Sequence, residues 1–220
     1  MQLSRLLRSE DARQTLDLTL RLTQRSVSSE FKGTALGRLW SFINPLATIA
    51  IFALIFGVVF RGGVEPGRNS GINSFALWIG IGVLSWTFFS SGIMASMNAL
   101  VDNAGLLTKV YFPRQVLIYS AVLSLAVDFA FELLVLVIIA MILGGPGVLA
   151  MIPALLVVTV LVGMFAVGLG LMLSIATVYF RDLGHLWQIF NQMWMYASGV
   201  VFPLTMVNKV QNDLFDKGWQ

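Results

Sequence analysis

The chain predicts an all-α polytopic membrane protein, and three observations carry that reading. Of its 220 residues, 57% are hydrophobic and only 11% are charged, roughly half the charge of a soluble domain. The apolar residues come in long blocks, each near the roughly 20 residues that a helix needs to cross about 30 Å of hydrocarbon. Segments of about ten alternating residues, the mark of a membrane β-barrel, are absent from the sequence. There is no cysteine, which excludes disulfides and thiolate metal sites. The formal charge of +3 says little about nucleic acid in such a chain, and no nucleic-acid partner is expected.

Residues 1–38 form the first unit. Arg5, Arg8, Arg13, Arg21, Arg25, Lys32 and Arg38 are set against Glu10, Asp11, Asp17 and Glu30. Leu16, Leu20, Thr23 and Val27 recur at helical spacing, with Arg13, Asp17, Arg21 and Gln24 on another face. This pattern predicts an amphipathic helix lying in the membrane interface. It is not a signal peptide, because no apolar stretch follows the first charges before Leu39. Residues 39–220 form the transmembrane unit, with about five spans near Leu39–Phe60, Ser74–Leu100, Val116–Leu143, Val148–Val178 and Leu186–Val207. Pro153, near the start of the fourth, raises the option of a re-entrant or interfacial piece there.

The distribution of Lys and Arg orients the chain. The basic amino-terminal segment is expected on the cytoplasmic side. RGGVEPGRNSGIN and GGPG then lie outside, and DNAGLLTKVYFPRQ and YFRDLGH lie inside with Lys109, Arg114 and Arg181. Arg61 and Arg68 weaken this contrast without reversing it.

DNAGLLTKVYFPRQ, residues 102–115, is longer than a plain turn between spans requires. Leu106, Leu107, Val110 and Tyr111 are spaced to share one face of a short helix, while Lys109 projects elsewhere. Asp102 or Asn103 can cap its start. Pro113 cannot continue helical bonding and biases Phe112 to extended geometry, so the helix should stop there. Such a helix either docks a partner or rests its apolar face on lipid.

Three stretches together carry a family resemblance. FKGTALGRLWSFINPLATIAIFALIFGVVF holds Leu36, Gly37, Trp40, Asn44 and Pro45. NAGLLTKVYFPRQ holds Asn103, Leu106, Lys109, Phe112, Pro113 and Arg114. YFRDLGHLWQIFNQMWMYASGVVFP holds Tyr179, Arg181, Asp182 and Pro203. In order and spacing these resemble the permease of type-2 ABC exporters, in the branch that exports lipid-linked polysaccharides such as O-antigen, teichoic acid and galactan. The resemblance implies a bacterial cytoplasmic-membrane protein with six spans, working as a homodimer with two copies of an ABC ATPase and a polyprenyl-linked glycan as substrate. It implies that the segment with Asn103, Leu106, Leu107, Lys109, Tyr111, Phe112, Pro113 and Arg114 is the coupling helix. Phe112 and the Leu106/Leu107 face would be its anchors, with Arg181 and Asp182 a second contact. The chain has no GxxxxGK[ST] phosphate loop, so no cofactor is expected on it; ATP and Mg would bind the partner ATPase.

The same resemblance implies a channel lined partly by the first and fifth spans. Phe52, Phe56 and Phe60 repeat every four residues on the first span, and Trp187, Phe190 and Trp194 form a stripe on the fifth. Aromatic faces suit sugar rings; they equally suit lipid and helix packing. Asp128 and Glu132 lie four apart near the middle of the third span, on one helix face. A carboxylate in hydrocarbon is costly unless paired, protonated or wet. Ser124, Ser174, Asn191 and Arg38 are the partners within reach of the pattern, and the pair serves either as a polar wall for substrate or a proton site, or as a hydrogen-bonded contact to a neighbouring helix or to Arg38. Gly92 and Ser96, Ala95 and Ala99, and Gly163, Ala166, Val167 and Gly170 mark close helix approach. His185 is the only histidine, and one ligand does not make a metal site. No catalytic set is recognised.

The family pattern continues past the fifth span, so a sixth is expected beyond KVQNDLFDKGWQ. Two other readings stand beside polysaccharide export. One is a type-2 drug or lipid exporter, which shares the topology. The other is a membrane-embedded enzyme acting on lipid-linked sugars, which would need acids clustered in a loop.

Overall fold

A computed structural model of the chain describes residues 2–30, 32–55, 74–109 and 112–200, with side chains described from Arg13 onwards. Among these residues the chain is helical throughout. The order is α1 (Gln2–Glu30), a 3-10 turn (Gly37–Leu39), α2 (Trp40–Phe52), α3 (Phe75–Asp102), α4 (Ala104–Leu107), α5 (Gln115–Gly144), a second 3-10 turn (Pro146–Met151), α6 (Ile152–Tyr179) and α7 (Leu183–Ala197). Four stretches are long and apolar enough to cross a membrane: Gly37–Ile55, Phe75–Asp102, Gln115–Gly144 and Pro146–Tyr179. They match the first four predicted spans. The fifth corresponds to α7, and residues 201–207 of its predicted range lie outside the described residues, as do Phe56 and Phe60 of the first.

The helix starts follow from local chemistry. Ser74 caps α3, its hydroxyl accepting from the Leu77 amide at 3.4 Å. Pro153 sits in the first turn of α6, where the missing N–H has no intrahelical partner to lose. The fourth span is therefore a 3-10 turn, Pro146–Met151, followed by a helix unbroken from Ile152 to Tyr179.

α3 is the centre of the bundle. It runs antiparallel to α5: Ala99 clusters with Leu117 and Ile118 at one end, Phe88 stacks on Phe129 at 4.6 Å in mid-helix, and Gly80 faces Leu136 at the other end. It runs parallel to α6, where Gly92 meets Ala166 and Gly170 meets Ser96, four residues apart on both helices. Here the small residues singled out from the sequence do bring two helices together, as expected where apolar burial gives no drive between helices in lipid. α2 packs on α3 and α5, and Ile49 touches Gly80.

α1 is helical as predicted, but its buried face differs. Thr19, Thr23 and Val27 are buried, and Leu16 and Leu20 are 61% and 50% exposed. The threonine hydroxyls bond back to their own helix, Thr23 to the Thr19 carbonyl and Thr19 to the Thr15 carbonyl, both at 2.8 Å. With their polar atoms satisfied in this way, their methyl groups can face a neighbour. That neighbour is α5: Leu22 joins the cluster around Leu117 and Ile118, and the helix then follows α5 as far as Asp128, which Glu30 reaches.

Candidate functional site

The elbow between α3 and α5 is shorter and more tightly held than its sequence suggests. Its helix is the single turn Ala104–Leu107. Neither Asp102 nor Asn103 caps it with a side chain. The Asn103 amide instead donates to the Ala99 carbonyl at 2.9 Å, tying the elbow to the last turn of α3. The Asn103 backbone carbonyl accepts from Leu106 and Leu107 at 2.9 and 3.1 Å. The Pro113 and Arg114 carbonyls then accept from Val116 and Leu117, which opens α5.

The apolar residues of the elbow point inward. Leu106, Leu107 and Phe112 are half-buried and pack with Leu22, Leu100 and Leu171 around Ala99, Leu117 and Ile118. What the elbow shows outward is Gly105, Thr108, Lys109, Pro113 and Arg114, all exposed. The amphipathic spacing is therefore that of a buttress: the bundle buries the apolar face itself and leaves the polar face for contact. Val110 and Tyr111 lie outside the described residues.

The α6–α7 loop comes out at the same end, because α3 and α6 are parallel. Tyr179 and Phe180 are 78% and 69% exposed, and Arg181 and Asp182 are exposed as well. The Asp182 backbone carbonyl accepts from His185 and Leu186 at 3.0 and 3.2 Å, which starts α7. The described loop thus places four outward side chains on the face that carries Lys109 and Arg114.

The aromatic candidates divide. Trp187, Phe190 and Trp194 gather with Trp86, Phe89 and Phe165 between α3, α6 and α7. Trp194 meets Trp86 edge-on at 5.8 Å and Phe190 at 5.5 Å, and Phe89 stacks on Phe165. Trp187 is buried and Phe190 is 51% exposed. Phe52 belongs to α2, on the α3–α5 side of the bundle, and α2 makes no contact with α7. Phe56 and Phe60, the rest of the first stripe, lie outside the described residues. Sequence reasoning named Asn191 and Trp187 and missed their polar partner Ser90 and the Trp86 ring nitrogen. Asn191 donates to the Ser90 hydroxyl at 2.7 Å, and the Asn191 carbonyl oxygen and the Trp86 and Trp187 ring nitrogens are buried without a partner. Ser90 lies four residues after Trp86, and Asn191 four after Trp187, so the repeat was there to be read.

Asp128 and Glu132 are near the midpoint of α5, yet their level in the bundle is different. Phe42, in the first turn of α2, packs edge-on against Phe131 at 5.5 Å. Phe42 is the sixth residue of the first apolar stretch, which therefore begins somewhat nearer to Gln115 than Phe131 lies. α5 has 30 residues and is about 45 Å long, well beyond about 30 Å of hydrocarbon. Its Gln115 end therefore projects past the start of the first span. Ser120, Ser124, Asp128 and Glu132, each four residues on from the last, form a slowly turning polar stripe along it.

This stripe faces a cleft of about 550 Å³ between α1, α3, α4 and α5. Arg25, Glu30, Asp102, Asn103, Ser124 and Asp128 supply its main polar groups. Glu30 meets Asp128 side chain to side chain. Burial first, then the hydrogen bond and charge of Asp128, raise the Glu30 carboxyl from its ordinary 4.5 to about 7. One Asp128 oxygen is buried without a partner. Arg38, Ser124, Ser174 and Asn191 do not pair with Asp128 among the described residues: both serines bond to carbonyls of their own helices, and Asn191 bonds to Ser90. Glu132 shares a smaller pocket with Thr87, Ser91 and Asp128.

Comparison with known proteins agrees with this architecture. The family model for the ABC-2 type transporter matches residues 17–212. An O-antigen export system permease protein RfbA of Myxococcus xanthus is 31% identical over 191 residues, covering 86% of this chain and 70% of its own. An RfbA of Klebsiella pneumoniae is 24% identical over 191 residues, covering 87% and 71%. The capsule polysaccharide export inner-membrane protein CtrC of Neisseria meningitidis is 26% identical over 185 residues, covering 82% and 66%. Helical bundle, elbow and matched length together place this chain in the ABC-2 type transporter family, as a membrane-embedded transport permease.

Proposed function

We propose that the chain is the permease of an ATP-driven exporter that moves a lipid-linked polysaccharide across the bacterial cytoplasmic membrane. The similarity to O-antigen and capsule export permeases over more than four-fifths of the chain carries the substrate class. One structural observation supports the energy source: the elbow and the α6–α7 loop present Lys109, Pro113, Arg114, Arg181 and Asp182 outward on one end of a bundle that has braced them from within. A separate ATPase, binding ATP and Mg, docks on that end. The polar faces make the contact, and Leu106, Leu107 and Phe112 keep the elbow stiff. Nucleotide-driven closure of the ATPase then moves the helices as rigid bodies. The basic residues of this end and of α1 support a cytoplasmic location for it. A second copy completes the channel, because α2 and α7 lie on different sides of one copy. Phe52 of one copy and Phe190 and Trp194 of the other can then face a common path, and aromatic faces suit the apolar faces of sugar rings.

The test is purification of the full-length protein from its native membrane in mild detergent, with mass spectrometry of what accompanies it. An ATPase subunit in equal amount is expected, and Lys109→Glu combined with Arg114→Glu should release it. Cells lacking the permease should accumulate the lipid-linked glycan on the inside. A folded protein that carries no ATPase, or a deletion that leaves surface glycan unchanged, overturns the reading.

A further inference from the structure

The aromatic path and the ATPase contact leave one feature unused: the cleft under α1. It runs along α5 from Leu117 to Asp128, about 16 Å at helical rise. Its volume of about 550 Å³ is that of a small-molecule site, roughly 300–1,000 Å³. Its lining is built of hydrogen-bond acceptors. Ser120 and Ser124 are more than nine-tenths buried and donate to the Leu117 and Ala121 carbonyls, which leaves their oxygens with lone pairs to offer. The Asn103 amide donates to the Ala99 carbonyl, which leaves its side-chain oxygen. One Asp128 oxygen is buried with no donor at all, a cost unless a donor is supplied to that carboxyl group. Asp102 and Glu30 add two more carboxyl groups, and Arg25 is the one cation on the described lining. Arg25 pairs with none of them: the one ion pair among the described residues, Arg21 with Asp17, lies within α1 itself. Ala95, Ala99 and Ala121 lie between these groups and keep the cleft open.

This lining selects a class of ligand. A metal ion fits poorly, because no three acids converge to hold one among the described residues. An anion meets three carboxyl groups and a single guanidinium. An uncharged chain of hydroxyl groups meets no such repulsion: each hydroxyl can donate to a carboxyl, serine or amide oxygen, and its own oxygen can accept from Arg25. The alanine and leucine surfaces between the polar groups suit the apolar faces of sugar rings. We propose that the cleft is a glycan site outside the channel, holding a short run of sugar units of the exported chain between α1, α3 and α5; this rests on the polysaccharide reading above. Ser124 and Asp128 hold the end nearer the first span, and Arg25, Asp102 and Asn103 hold the end nearer the elbow. Asn103 and Leu106 of the elbow wall the cleft as well, so sugar bound there bears directly on the segment that the ATPase moves.

The probe is the oligosaccharide released by mild acid from the surface glycan of the cells that make the protein. It is titrated onto the full-length protein in lipid nanodiscs and followed by saturation-transfer NMR. Saturable binding is expected. Arg25→Ala combined with Asp102→Ala should weaken it several-fold and leave the unfolding midpoint unchanged, since both side chains are exposed. The chain has no cysteine, so a nitroxide placed at Ser28→Cys, exposed on α1, reports position: it should broaden the signals of the bound sugar, which a site in the channel alone would not show. No binding, binding unchanged in the double variant, or no broadening overturns the proposal, as does spermidine displacing the sugar from the unmutated protein, which would make the cleft a cation site. Loss of surface glycan in cells lacking the permease, with no sugar at the cleft, removes the cleft site alone. Surface glycan that persists in those cells removes the polysaccharide reading itself.

Discussion

Ser96 of α3 occupies the space that Gly170 of α6 leaves open. The serine is fully buried, its hydroxyl donates to the Gly92 carbonyl at 2.7 Å, and a methyl group on residue 170 would overlap its side chain. Gly170→Ala should therefore force the two parallel helices apart, at a cost of about 1–3 kcal/mol. Thermal unfolding in detergent would show the loss. Adding Ser96→Gly to the same chain should recover part of it, which a generally disruptive substitution would not do.

The Asn191–Ser90 hydrogen bond joins α7 to α3. Interhelical bonds of this kind in membranes are worth about 0.6 kcal/mol on average and up to about 1.7. Ser90→Ala and Asn191→Ala should each destabilise α7 by an amount in that range. Their double mutant should lose less than the sum of the two, and a coupling energy of zero would show that the bond contributes nothing.

The elbow should separate stability from partner binding. Phe112→Ala removes a half-buried brace and should lower the unfolding midpoint. Lys109→Glu with Arg114→Glu alters exposed groups only, so it should leave the midpoint nearly unchanged while reducing recovery of the ATPase. The two readouts come from one preparation, by thermal unfolding and quantitative mass spectrometry. Loss of the ATPase in the Phe112 variant alone would mean that the apolar face is the contact after all.

Two neighbouring aromatics on α7 should behave differently. Trp187 is buried, and Trp187→Ala should cost about 3–5 kcal/mol of stability. Phe190 is half-exposed, and Phe190→Ala should leave the fold intact while reducing export of the glycan. Surface glycan measured beside protein abundance distinguishes the two effects.

The spans were legible because lipid demands long apolar helices, and nothing else in a sequence imitates 20 consecutive apolar residues. Depth was less legible. Asp128 and Glu132 look central when counted along their own helix, and only the contact of Phe42 with Phe131 shows how far α5 overshoots the start of the first span. Faces were legible where one neighbour decides them, as at Gly92 and Gly170. On α1 the predicted face divides: Thr23 and Val27 are buried together with Thr19, and Leu16 and Leu20 are exposed. At the elbow, Leu106 and Leu107 share a half-buried face, joined by Phe112. Spacing shows that residues share a face, and it does not say whether the chain's own bundle or a partner covers that face. The Glu30–Asp128 contact joins residues nearly a hundred positions apart, and no local pattern could announce it.

The bracing of the elbow also limits how it can work. The described residues of the elbow are tied to α3 through Asn103, wedged against α5 through Leu106 and Phe112, and reach α6 through Leu171. The elbow is a crank fixed to its shaft, not a hinge. A push of a few ångströms on its outer face cannot be absorbed by local flexing and must appear as a tilt of three helices together. Inserting a pair of glycines beside Thr108 would leave the docking face in place and still disconnect the motor from the load.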